Sequence, residues 1–359
     1  MTRLAPRPTP DPDRSVDMLD RTDPVGELPI VILNPHSRCN CRCAMCDIWQ
    51  VTTTQEIAPA DIERWLPEWQ RLGVRRVVFS GGEPLMHSAL WQLCGPLHEA
   101  GIDITLLSTG LLLKRHAADL ARFCDDVVVS LDGPREMHNR IRNVPRAYEK
   151  LAEGVAALRA AAPGVRVSGR CTVQRANYRH LRSTVSAAWD LRLDRISFLA
   201  VDVSSKAFNR PSGWPADRAG EIALAHADLP LLADELTALE TERATDFASG
   251  FIAESPAKLR RKLHQYFAAL LGLGDFAPND CNAPWVSTVI ETDGTVRPCF
   301  FSRRSETSAR RGAWRGCSTR PRRSAGARDS TPIATRSAGS AFVRWLCVRP
   351  TNPSRRCNR

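Results

Sequence analysis

Three thiols stand close together in Pro35-His36-Ser37-Arg38-Cys39-Asn40-Cys41-Arg42-Cys43-Ala44-Met45-Cys46, where Cys39, Cys43 and Cys46 have Cys-x3-Cys-x2-Cys spacing. A single loop can wrap three such thiolates around one metal centre. Soft thiolates select zinc or an iron–sulfur cluster, and the neighbouring Arg38 and Arg42 are expected to favour the ionised form that binds metal. A cuboidal 4Fe-4S cluster normally takes four cysteines, so three would leave one iron open to a substrate or cofactor. Spacing alone also admits a zinc loop completed by Cys41 or a distant histidine, or a set of small core residues. Cys41 itself is not expected to be a ligand.

The second chemical feature is Val77-Val78-Phe79-Ser80-Gly81-Gly82-Glu83-Pro84. Paired glycines allow backbone conformations closed to other residues and a close approach to a ligand. Glu83 adds a carboxylate suited to an ammonium group. An isolated Gly-Gly is more often a tight strand-to-helix turn, but this one follows an apolar run that already succeeds a thiol loop.

Both features need elements to position them, and the hydrophobic pattern supplies these. Short apolar runs at 30–33, 76–80, 103–108, 127–131, 165–173 and 195–200 read as strands. Between them, apolar residues recur at three- and four-residue spacing over 60–71, 88–100, 114–123, 146–161 and 178–191, which predicts helices. Repeated βα units build a parallel sheet, open or barrel-like. Beyond 201 come a polar loop, helices over 215–242 and 256–273, and two alternating segments, 286–291 and 295–300. Thr292-Asp293-Gly294 joins these two segments into a hairpin. Cys281 precedes the hairpin and Cys299 stands near its end.

With these residues in place the chain resembles the radical S-adenosylmethionine (radical SAM) superfamily, whose cysteine loop follows strand one and whose Gly-Gly-Glu-Pro follows strand two. Ser108-Thr109-Gly110 after the third strand and Ser130-Leu131-Asp132-Gly133-Pro134 after the fourth extend the match, which covers about residues 30–200. The resemblance implies an α/β fold, a partial (β/α)6 barrel with its site at the C-terminal mouth of the strands. It implies that Cys39, Cys43 and Cys46 bind a 4Fe-4S cluster whose open iron chelates the amino and carboxylate groups of S-adenosyl-L-methionine. Gly81, Gly82, Glu83 and Pro84 would lie at its methionyl ammonium, with Ser108 and Thr109 beside them. Met45 would pack near adenine, Ser130 and Asp132 would approach the ribose, and Arg170 would meet the carboxylate. His138 and Arg142, after the fourth strand, are placed to line the mouth but are expected rather to be solvated.

The resemblance further implies an electron donor such as flavodoxin or ferredoxin. Reductive cleavage of the sulfonium then releases methionine and a 5′-deoxyadenosyl radical that abstracts hydrogen from substrate. Cys281, Gly294 and Cys299 resemble the opening of the auxiliary-cluster regions called SPASM or twitch domains, which implies a second iron–sulfur cluster. That pattern expects a later Cys-x2-Cys, and the sequence instead has the widely separated Cys317, Cys347 and Cys357.

Composition bounds the remaining possibilities. The chain has 359 residues, 43% of them hydrophobic and 25% charged, as in globular domains. No apolar stretch reaches the ~18–20 residues of a membrane span, so a cytoplasmic protein is expected, in which its 12 cysteines serve as ligands or core residues rather than disulfides. The net charge of +11 is concentrated at one end. Residues 303–359 hold 15 Arg, no Lys and two acids, a net +13, which leaves the first 302 residues at −2 and without a footprint for a polyanion. The expected organisation is a proline-rich flexible leader (1–27), a radical SAM core (28–215), a helical linker with the hairpin (216–302) and an Arg-rich, disordered tail (303–359). The tail reads as a shifted frame of a GC-rich gene.

The expected function is radical chemistry, of oxidoreductase type, on a small molecule, ending in dehydrogenation, epimerisation or bond formation. The alternatives are a radical SAM/SPASM peptide maturase and, from another class, a zinc-stabilised nucleic-acid-binding protein.

Overall fold

The computed structural model describes residues 27–277 and 282–300. Its frame is an eight-stranded sheet in which six strands follow chain order: β1 (Ile30–Leu33), β2 (Arg76–Phe79), β3 (Asp103–Ser108), β4 (Asp126–Ser130), β5 (Arg166–Val173) and β6 (Arg195–Ala200). Each pairs in parallel with the next. The crossovers are helices: α1 (Pro59–Arg71), α2 (Leu90–Glu99), α3 (Ala117–Phe123), α4 (Arg135–Arg142) with α5 (Ala147–Ala161), and α6 (Leu181–Asp190). This is the singly wound order of a partial (β/α)6 barrel, the fold that the resemblance implies where the apolar pattern alone left an open sheet equally open.

Strand alternation sorts the side chains. Val31, Leu33, Val77, Phe79, Ile104, Leu106, Val127, Val129, Val167 and Val173 join the large core beneath the helices. Ile30, Ile32 and Val78 form a smaller cluster with Val289 on the opposite face. At the N-terminal ends of the strands, Arg76 reaches Asp103 at 2.9 Å and Asp126 at 3.7 Å, and Arg166 reaches Asp126 at 3.3 Å. The C-terminal ends carry the loops with chemical motifs.

Three elements depart from the pattern. Helix α4 was not expected, because Arg-Glu-Met-His-Asn-Arg-Ile-Arg has only two apolar residues and no readable apolar period. The expected helix over 215–242 is two, α7 (Ala216–Ile222) and α8 (Asp228–Glu242), since the Asp228 carboxylate accepts the Ala225 N–H and restarts the chain. The hairpin is more than an appendage. Its first strand, β7 (Ser287–Ile290), pairs in parallel with β1 and is buried throughout, so it covers a sheet edge that would otherwise be unpaired. Its second strand, β8 (Val296–Arg297), pairs antiparallel with β7.

Candidate active site

The thiol loop leaves β1 at the C-terminal end of the sheet and is tied down on entry. His36 Nδ1 lies 2.9 Å from Glu56 Oε1, Ser37 N–H donates to Gln55 O at 3.1 Å, and Ile57 N–H to Pro35 O at 3.0 Å. The loop then buries Cys41 and Cys43 and half-buries Cys39 and Cys46. Cys41 sits between Cys39 and Cys43 in side-chain hydrogen bonds with both, and these bonds push its thiol well above the ordinary range. The hydrogen bond from Cys41, ahead of the charge of Arg142, lowers Cys43 to about 7. Burial pushes Cys46 up to about 12. Arg38 and Arg42 are exposed, and the cation acting on Cys43 is Arg142, which the sequence places 99 residues away.

The Gly-Gly-Glu-Pro turn buttresses this loop. A Cβ on Gly82 would lie 2.1 Å from the carbonyl oxygen of Arg38, and one on Gly81, at φ +94°, would lie 2.7 Å from Asn34 Cβ. Glu83 N–H donates to the same Arg38 oxygen at 2.9 Å. The Glu83 side chain is fully buried. It accepts from Leu85 N–H (3.1 Å), Ser108 Oγ–H (2.9 Å) and Thr109 N–H (2.7 Å). Its carboxylate therefore joins β2 to β3. Pro84 is buried at the start of the following turn. Thr109 Oγ–H donates to Asn40 Oδ1 at 2.9 Å, so the end of β3 also grips the thiol loop.

Beyond β4, Asp132 is likewise fully buried and committed. It accepts from Arg142 Nε (2.6 Å) and Thr172 N–H (3.0 Å), while its own N–H donates to His138 Nδ1 at 3.2 Å. His138 and Arg142, expected in solvent, are buried instead, and burial, with the Arg142 charge, lowers His138 to about 4. Met45 is in the core. Ser130 and Arg170 are register partners on β4 and β5 and stay partly exposed on the non-helix face. Burial lowers the Arg170 guanidinium to about 10, opposed by Glu254.

The segment after β6 returns across the thiol loop. Asp47, next to Cys46, donates its N–H to Phe208 O and accepts from Asn209 Nδ2 at its carbonyl. Its carboxylate accepts from Trp214 Nε1 and from Arg218 Nη2 at 2.6 Å. Buried Arg210 locks this strap through Asp202 at 2.9 Å. Thus the segment after β6 meets the loop that follows β1. Composition gave no sign of Asp47 or Arg142; the four-residue interval from His138 to Arg142, one helical face, was the available signal.

These residues fit a cluster with an amino-acid ligand. Asn34 Oδ1 and Asn40 Nδ2 are buried beside the loop with no hydrogen-bond partner, an acceptor and a donor of the kinds an ammonium and a carboxylate require.

Residues 33–187 match the sequence profile described as the radical SAM superfamily. These residues are a radical SAM domain. The cofactors of such a domain are a 4Fe-4S cluster and S-adenosyl-L-methionine. The chain is 26% identical over 174 residues to Fe-coproporphyrin III synthase of Methanosarcina barkeri, covering 47% of this chain and 43% of that protein. It is 26% identical over 247 residues to PqqA peptide cyclase of Ruegeria pomeroyi, covering 67% of this chain and 59% of that protein. The chain thus spans under two thirds of these relatives. Its fold is that of SuiB from Streptococcus suis bound to S-adenosylmethionine (TM-score 0.54, 16% identity, 78% of this chain and 63% of that one). The same fold occurs in anSMEcpe with bound AdoMet (TM-score 0.53, 19% identity, 76% and 75%).

Among the described residues no helix is long and apolar enough to cross a membrane. Cys281, Cys317, Cys347 and Cys357, with the leader and the Arg-rich tail, lie outside the described residues. Cys299 is described and half-buried two residues beyond β8.

Proposed function

We propose that this radical SAM domain is the catalytic core of an enzyme that abstracts hydrogen from a small molecule, an oxidoreductase or related radical enzyme. The observation that carries the reading is the braced loop: Cys39, Cys43 and Cys46 presented at the strand mouth, with Gly82 and Glu83 packed on its backbone. Cys39, Cys43 and Cys46 would hold the 4Fe-4S cluster. When bound, the cluster and S-adenosyl-L-methionine supply a 5′-deoxyadenosyl radical.

The chain's own residues bind, orient and shield. The carbonyls of Gly81 and Gly82 and Asn34 Oδ1 suit the methionyl ammonium, Asn40 Nδ2 and Arg170 its carboxylate, and Ser130 the ribose. The Asp47 strap keeps water from the side of the loop that faces β6. An electron carrier such as flavodoxin or ferredoxin would serve as partner, and Cys299 with Cys281 would hold an auxiliary cluster.

A peptide maturase is the second reading, favoured by the match to the peptide cyclase, which runs well past residue 187. Fractionated extracts separate the two. With reconstituted protein, dithionite and S-adenosylmethionine, a fraction below about 1 kDa and free of peptides should stimulate 5′-deoxyadenosine formation. Stimulation confined to the peptide fraction would contradict the first reading and support the second.

A further inference from the structure

Helix α4 ends with a left-handed residue, Asn143 at φ 50°, so Arg142 is the last residue before the chain turns. From there its guanidinium reaches two buried groups at once. Nε donates to Asp132 Oδ2 at 2.6 Å and Nη1 to Cys43 Sγ at 3.7 Å. The backbone is fixed too, since Arg42 N–H donates to Arg142 O at 3.1 Å.

Asp132 holds the guanidinium in place because it is itself held. Besides Thr172 N–H on one oxygen and His138 on its N–H, its carbonyl accepts from Asn177 Nδ2 at 3.0 Å. A guanidinium that only neutralised Asp132 would pair with it through both ends of its planar fork. Here one arm goes to the carboxylate and another to sulfur.

We propose that the Asp132–Arg142 pair presents a charged donor to the Cys43 sulfur and raises the reduction potential of the cluster that Cys43 ligates. The proposal rests on the radical SAM reading of Cys43. Reduction adds one electron, and a cation hydrogen-bonded to a ligand thiolate stabilises the more negative state more strongly. Arg142 is a positioning residue here, acting through Cys43.

The test is an EPR-monitored redox titration of the reconstituted full chain with dithionite, alongside iron content, for wild type, Arg142→Gln and Arg142→Lys. With iron retained, Arg142→Gln should lower the reduced-to-oxidised ratio at fixed potential about tenfold, about 59 mV for one electron. Arg142→Lys keeps the charge without the fork and should shift it less, in the same direction. An unchanged or higher potential in an iron-replete variant overturns the proposal. Loss of iron from both variants also overturns it, in favour of a purely structural role. If one variant loses iron, the other decides. Failure of wild type to take up iron would instead be a failure of the functional reading.

Discussion

Gly82 stands so close to Arg38 that a Cβ would meet the Arg38 carbonyl oxygen at 2.1 Å, and the next residue donates its N–H to that same oxygen at 2.9 Å. The contact is with backbone, which cannot swing aside as a flexible side chain would. The glycine pair after β2 and the thiol loop after β1 therefore form one unit.

Gly82→Ala should displace the Arg38 to Cys39 backbone. Overpacking of this kind costs about 1–3 kcal/mol. Iron content per chain after anaerobic reconstitution should fall several-fold, together with the melting temperature. Full iron in a stable Gly82→Ala protein would show that the two turns move independently.

Glu83→Gln replaces an oxygen that accepts hydrogen bonds with an amide that donates them. Either orientation of the amide sets an N–H₂ against a donor from β3 or Leu85. A buried donor left unsatisfied costs about 1–3 kcal/mol, to be read from chemical unfolding of the apo protein. Wild-type stability with reduced affinity for S-adenosylmethionine would put the carboxylate at the ligand instead.

His138 sets an acid limb. Its ring titrates near 6.5 in the unfolded chain and near 4 in the fold, where burial favours the neutral form. Between those values the unfolded state binds more protons, so its contribution is complete above about pH 6.5 and is lost as pH falls towards 4. For a buried group the loss is on the order of 3 kcal/mol. His138→Gln should flatten the melting-temperature profile of the apo protein across this window, and an unchanged slope would contradict the assignment.

Asp47→Ala removes the acceptor for Trp214 and Arg218, leaving the strap after β6 tied at residue 47 only through the backbone bonds with Phe208 and Asn209. Hydrogen bonds to a charged group contribute about 1.5–3 kcal/mol. The reconstituted variant should bleach in air several-fold faster than wild type, followed as loss of absorbance near 400 nm. Equal rates would mean that the strap does not shield the site.

The fold was legible because its chemistry is periodic. Val77 and Phe79 alternate with Val78, and Leu93 and Leu97 recur at helical spacing, so six strands and most crossovers could be read directly. Helix α4 could not, because two of its three buried residues, His138 and Arg142, are polar groups whose burial depends on Asp132 and on the distant Cys43. The thiols of the site were legible by spacing. The orientations of Glu83 and Asp132 were not: a carboxylate in a motif looks alike whether it faces a ligand or the next strand, and only the donors of Ser108, Thr109 and Thr172 decide.

The central claim is that three thiolates of one loop hold a cluster with a corner open to S-adenosylmethionine. It is tested most directly by quantifying 5′-deoxyadenosine from anaerobically reconstituted protein, dithionite and S-adenosylmethionine, for wild type and for Cys39→Ala, Cys43→Ala, Cys46→Ala and Cys41→Ala. Wild type should cleave the cofactor, Cys41→Ala should still cleave it measurably, and the other three should fall to background. Colourless wild-type protein holding zinc, or an iron-replete protein that forms no 5′-deoxyadenosine, would contradict the claim.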